Sequence, residues 1–208
     1  MASKISAWAA REVIECRIDS GSLLTESDLA RALGASRTPA REAMLELERW
    51  GLVRLVPKKG AIVTSVTMKD RHDLLAVRTM FETGAVQSAL ASSELERLAV
   101  DLRYLLGEQR QAYEAGDLLR FAAVDFSFHA RIIGSGNNEV VNELLATMGP
   151  RLARLTYRAV LDHPEILPSL LAEHERLIER AECRDALGFG RLVKDHIWDS
   201  HSAIPVKS

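Results

Sequence analysis

The segment from Leu24 to Val63 constrains the fold more than any other part of the chain. Thr25 and Asp28 are spaced to cap a helix start, Leu29, Ala30 and Leu33 line one face of that helix, and Gly34 supplies a left-handed residue that ends it. Ser36 can cap a second helix whose first turn holds Pro39, where a missing N–H does little harm. Along it Ala40, Ala43, Met44 and Leu47 recur at i, i+3, i+4 and i+7. Arg37 and Arg41 fall on a different face, at and near the amino end, where a helix entering the major groove meets base edges and phosphates. Gly51 stops this helix. Two β-rich runs, Leu52–Val56 and Ala61–Thr64, then flank Pro57-Lys58-Lys59-Gly60, a hairpin whose basic tip is placed to touch phosphates. Surface arginines alone would be read as solvated or paired with Glu42 and Glu46, and a winged helix also serves as a protein–protein module. Cap, turn, second helix and wing together predict a winged helix-turn-helix that binds DNA.

The run LARALGASRTPAREAMLELERWGLV, with KKGAIV after it, closely resembles the amino-terminal domain of GntR-family bacterial transcription regulators. The matching positions are Gly34, Ser36, Arg37, Thr38, Pro39, Arg41, Glu42 and Gly51. Carried over, the family's DNA contacts fall on Arg37, Thr38 and Arg41 in the recognition helix and on Gly60 in the wing. Ser36 at the helix start and Lys58 and Lys59 at the wing tip complete the candidate DNA-binding set. Ser27 stands where some members of the family have an arginine that also contacts DNA.

A length of 208 residues suits two compact domains. No segment is apolar enough to span a membrane. The start, MASKISAWAAREVIE, carries Arg11 and Glu12 and lacks an apolar core, so it reads as a first helix rather than a signal peptide, and the expected compartment is the cytoplasm. Cys16 and Cys183 have neither metal-binding nor redox spacing. Net charge is −2, but residues 1–68 hold ten Lys and Arg against eight Asp and Glu, while residues 69–208 hold seventeen against twenty-one. DNA binding therefore belongs to the amino-terminal part and must come from a local basic patch.

Past Thr67 the strand-forming residues give way to amphipathic helices, predicted over 68–91, 94–115, 117–134, 138–161, 165–182 and 185–199. Leu74, Val77, Met80 and Phe81 on the first, and Leu102, Leu105 and Leu106 on the second, have the spacing of faces buried in a bundle. The predicted fold is mainly α: a winged helix-turn-helix domain over 1–68, then an all-helical bundle of about six helices over 69–208. Within the bundle Asp125 and His129 are four apart on one helix face, and His174 and His196 occupy the last two helices. Three imidazoles and a carboxylate form a plausible metal set if those helices converge.

The carboxy-terminal region resembles the FCD ligand-binding domain of FadR-like GntR regulators, a helical bundle in which an Asp-x-x-x-His pair and two later histidines surround a metal. Asp125, His129, His174 and His196 match in order, as do Arg78 and Glu82 and the run Ser135, Gly136 and Asn137. The resemblance supplies the convergence and implies a small organic acid bound beside the metal. Zinc is the first candidate, with nickel, manganese or iron as alternatives. An arginine would complete the acid's charge: Arg78 first, then Arg154 and Arg151, with Asn137 as a further contact and an ion pair to Glu82 as the competing role of Arg78. Metal-dependent hydrolysis is the alternative from another class, disfavoured because Glu173 and Asp195 adjoin ligands in sequence, where helix geometry turns them away. A purely structural metal is a third reading. The implied partners are a palindromic double-stranded operator, a second copy of the chain and a small carboxylate metabolite, and no membrane.

Overall fold

The computed structural model describes residues 1–90 and 92–202; Ala91 and residues 203–208, placed by the sequence in the bundle, lie outside the described residues. Two hydrophobic cores organise the chain. In the first, α1 (Ala2–Ile14), α2 (Glu26–Ala32) and α3 (Arg37–Arg49) pack around Ile5, Val13, Leu29 and Leu47. An antiparallel sheet of β1 (Leu23–Leu24), β2 (Val53–Val56) and β3 (Gly60–Val63), in the order β1-β3-β2, closes this core. Register runs from Val53 opposite Val63 to Val56 opposite Gly60, so the hairpin tip carries Pro57, Lys58 and Lys59.

The local signals act as their chemistry requires, with one exception. Thr25 Oγ1 accepts from Asp28 N and the Asp28 carboxylate accepts from Thr25 N, a reciprocal cap of the kind that contributes about 1 kcal/mol. Ser36 does hold the N-cap position of α3, but its hydroxyl makes no capping bond and stays exposed. Gly60 has φ +116, and a Cβ there would lie 2.2 Å from the carbonyl oxygen of Leu24 on β1. Gly60→Ala is accordingly expected to destabilise the winged domain by more than about 1 kcal/mol through strain and lost β1–β3 pairing, read as a lower melting temperature of that domain while the bundle is unaffected.

The second core holds α4 (Met68–Ala89), α5 (Glu94–Glu114), α6 (Leu118–Gly134), α7 (Glu139–Asp162), α8 (Leu167–Glu182) and α9 (Ala186–Ser202), with a short 3-10 turn at Pro164–Ile166. Phe121, Phe128, Leu102, Leu177 and Phe189 are fully buried in it. Each such side chain contributes roughly 1.5–3 kcal/mol of transfer free energy. Helix α6 lies between α5 and α7, α4 packs on α9, and α5 on α8. On α4 the inward face differs from that predicted: Met80 is 62% exposed, whereas Arg78 and Glu82 are buried beside Leu74, Leu75 and Val86. A buried ion pair thus takes the place that apolar periodicity assigned to methionine. Among the described residues no helix is long and apolar enough to cross a membrane. Ile14 packs against both cores, so the winged unit rests directly on the bundle.

Candidate DNA interface and metal centre

Between α3 and the β2–β3 hairpin runs an open groove of about 700 Å3. Arg37 and Arg41 line one side, Lys58 and Lys59 the other, and Leu45 and Val56 are among the residues between them. Arg37, Thr38, Arg41 and both lysines are exposed. The neutralisation anticipated from Glu46 is absent, because its carboxylate accepts from Ser6 Oγ at 2.9 Å and pairs with Arg49 at 3.2 Å. Within the described residues, no ion pair engages Arg37 or Arg41, so their charge is available to an external anion. Lys58 adopts φ +62, a conformation that costs a non-glycine residue roughly 1–2 kcal/mol.

In the bundle, helices α6, α8 and α9 bring His129, His174 and His196 together with at most 3% exposure. His196 Nε2 lies 3.1 Å from His129 Nε2 and 3.2 Å from His174 Nε2. Every Nδ1 is occupied on the far side of its ring: His129 with Glu82 Oε2 at 2.9 Å, His174 with Gln109 Oε1 at 2.8 Å, and His196 with Glu173 Oε2 at 2.7 Å. A neutral imidazole carries one N–H. With that proton donated outward in each ring, three Nε2 lone pairs face one another, an arrangement that repels itself unless a cation lies between. Nitrogens bound to zinc at about 2.0–2.1 Å stand about 3 Å apart, so the donor set fits a divalent metal in chemistry and in spacing.

Asp125, 5% exposed, adjoins this cluster: its Oδ1 is 3.7 Å from His174 Nε2 and accepts from Gln109 Nε2 at 2.9 Å. Arg78 Nε donates to Glu82 Oε1 at 2.8 Å, so Glu82 bridges the arginine and His129. Burial pushes the carboxyls of Glu82 and Asp125 above their ordinary range, with Arg78 opposing the shift. Burial, then the neighbouring His196 and His129, drives His174 well below its usual value. Burial is the largest single influence on Glu173 and works to raise it, but the bond and charge of His196, with Ser169 and Arg176, together outweigh it and the net shift is downward. Phe128 stacks on His174 with ring centroids 4.1 Å apart, walling one side of the site.

Several expectations need correction. Glu173 is not turned away: although adjacent to His174 in sequence, it reaches across to His196 on the next helix. Arg154 and Arg151 do not join the histidine cluster. Arg154, 5% exposed, donates to the Thr64 carbonyl at 2.7 Å and to Ser20 Oγ at 2.9 Å, both in the winged unit. Arg151 lays its side chain over Gly51, where a Cβ would come within 2.8 Å of Arg151 Cδ. Both arginines therefore hold α7 against the base of the wing. Asn137 is exposed in the turn after α6, with φ +47 and its N–H bonded to Gly134 O. The supporting roles of Gln109 and Glu173 were missed, since their partners lie on other helices; the Arg78–Glu82 pair was anticipated from its spacing, but its bridge to His129 was not.

A winged helix with a basic groove, joined to a helical bundle that gathers three imidazoles, defines a two-part DNA-binding regulator. Family models agree: residues 8–63 match the bacterial regulatory proteins of the gntR family and residues 73–199 match the FCD domain. The chain belongs to the GntR family, in its FCD-containing branch, and is a DNA-binding transcriptional repressor rather than an enzyme. It is similar to the transcriptional repressor RspR of Escherichia coli, 24% identical over 194 residues that cover 93% of this chain and 84% of the relative. A second relative, the gluconate operon transcriptional repressor of Bacillus licheniformis, is 29% identical over 83% of this chain and 72% of its own. Among solved structures, McbR/YncC of E. coli superposes with a TM-score of 0.80 at 22% identity, covering 95% of this chain and 93% of that one. A GntR regulator of Rhodococcus sp. RHA1 gives 0.82 at 21% identity, over 97% and 95%. Regulators of this family bind DNA operators and usually act as dimers.

Proposed function

We propose that two copies of the chain bind a palindromic operator through their winged domains, residues 1–68, and that a divalent metal in the bundle, residues 69–208, anchors a small carboxylate effector that changes operator affinity. Ser36, Arg37, Thr38 and Arg41 meet the major groove, while Lys58, Lys59 and Gly60 meet the backbone beside it. His129, His174 and His196 hold the ion, zinc in the first instance, with Asp125 beside them. The observation that carries this reading is the convergence of three Nε2 atoms whose rings are each held from behind at Nδ1. A bound ion would supply a Lewis-acidic position for an oxygen anion. Arg78 is the cation nearest to hand: within the described residues only its Nε is engaged, leaving both terminal amino groups for a carboxylate. The name of the gluconate operon relative connects that protein with a hydroxy acid, which supports an organic acid as the effector class.

Transmission follows from packing. Helix α6, which carries Asp125 and His129, lies on α7, and α7 holds the winged unit through Arg151 and Arg154. An effector that shifts α6 against α7 thereby alters the spacing or mobility of the two winged domains, and linkage requires operator and effector to affect each other equally. The expected setting is the cytoplasm. Elemental analysis of the purified protein should find one divalent ion per chain. Melting scans against a panel of small organic acids should show at least one that raises the transition of metal-loaded protein and not of stripped protein. An acid that stabilises both forms equally would leave the metal a purely structural part and contradict the anchoring role.

A further inference from the structure

Gln109, fully buried on α5, touches two members of the cluster at once: its Nε2 donates to Asp125 Oδ1 at 2.9 Å and its Oε1 faces His174 Nδ1 at 2.8 Å. The corresponding neighbours of the other two imidazoles are carboxylates, Glu82 behind His129 and Glu173 behind His196. That difference has a chemical reason. A carboxylate has no proton to give, so at position 109 it would serve His174 while setting a like charge against Asp125. An amide alone meets both demands. Its orientation is also fixed, because beside a bound cation Asp125 is ionised, only accepts, and must face the amide nitrogen, as its 2.9 Å contact has it. The amide oxygen then faces Nδ1 of His174, that nitrogen must carry the ring proton, and the Nε2 lone pair is left toward the other two histidines. Flipping the amide would oppose two acceptors at Asp125 and two donors at His174.

We infer that Gln109 is a positioning residue through which the charge of Asp125 selects the metal-competent tautomer of His174. Asp125 is thereby held turned toward the cluster, its Oδ1 at 3.7 Å from His174 Nε2. The inference rests on reading the three imidazoles as a metal centre. It assigns residue 109 a polarity rather than a shape, and polarity can be exchanged: Gln109→Glu combined with Asp125→Asn returns one amide and one carboxylate to the pair with the donor reversed. The new carboxylate then accepts from both His174 Nδ1 and the new amide, while the amide oxygen is freed to face the cluster.

The test uses full-length protein with zinc alone as the probe. Zinc affinity is measured by competition with a chromophoric chelator for wild type, Gln109→Glu, Asp125→Asn and the double variant, and the visible spectrum is recorded after cobalt(II) substitution. Gln109→Glu should weaken zinc binding by about 10–100-fold, the usual consequence of losing a group that orients a metal-bound histidine, and should change the cobalt bands, which a merely structural residue would leave alone. In the double variant the second substitution should restore affinity, so that zinc binds at least tenfold more tightly than the product of the two single losses. If Gln109→Glu fails to fold and the double variant folds, that rescue supports the proposal equally. Strictly additive losses, an unchanged cobalt spectrum in Gln109→Glu, or failure of both variants to fold would overturn it. Wild-type protein that takes up no zinc would instead overturn the metal reading, and this inference with it.

Discussion

Arg37→Ala should weaken binding to a selected operator by roughly 5- to 150-fold, the equivalent of about 1–3 kcal/mol per bidentate base contact, and should relax base preference at one position in each half-site. The side chain is exposed in the first turn of α3 with no carboxylate of the described residues to neutralise it, and it shares the groove with Arg41 and the two wing lysines. Lys58→Ala should act differently. Its removal lowers affinity for selected and random DNA alike and reduces the slope of log affinity against log salt by about one unit, as loss of a phosphate contact does. Gel-shift titrations over a salt series separate the two. Full operator affinity in Arg37→Ala would contradict the assignment of α3 as the reading helix.

His196→Ala should give a protein that purifies without stoichiometric metal and whose bundle melts about 10 °C lower, while its winged domain stays folded and its operator affinity survives. An ion present at a thousand times its dissociation constant contributes about 4 kcal/mol, and each kcal/mol moves the transition of a chain this size by about 2–4 °C. Removing the ring also leaves Glu173 without the donor that now holds its pKa below the ordinary carboxylate range, and opens a gap beside His129. A chelator should lower the melting temperature of wild type toward that of the variant and leave the variant unmoved. Elemental analysis and calorimetry read both quantities. Equal melting of wild type with and without chelator would show that no ion braces this bundle.

Much of the architecture is legible in the sequence because its signals are local. The Thr25–Asp28 cap, Gly34 and Gly51 fix α2 and α3, and the breaks at Gly116, Gly134 and Pro164 place the bundle helices within a few residues. Strand β1 escaped notice, since two residues, Leu23 and Leu24, carry no periodicity and exist as a strand only through pairing with Ile62 and Ala61. The same pairing gives Gly60 a steric reason to be glycine beside any contact with DNA.

The histidines could be singled out by type and spacing, but the groups that lock them could not. Glu82 meets His129 across 47 residues and Gln109 meets His174 across 65, and neither distance leaves a pattern in a single chain. Arg154 misled for a related reason. A polar residue on an otherwise apolar helix face signals a buried partner without saying which, and here the partners are a backbone carbonyl and a serine of the other domain.

The most direct test of the account is operator affinity measured with and without an acid that stabilises the metal-loaded protein, on wild type and on His196→Ala. Metal anchoring predicts that the acid shifts the wild-type dissociation constant by about tenfold or more, as coupling free energies of 1–3 kcal/mol allow, and leaves the metal-free variant unchanged. An identical shift in both proteins, or an operator complex indifferent to every acid that binds the bundle, would contradict it.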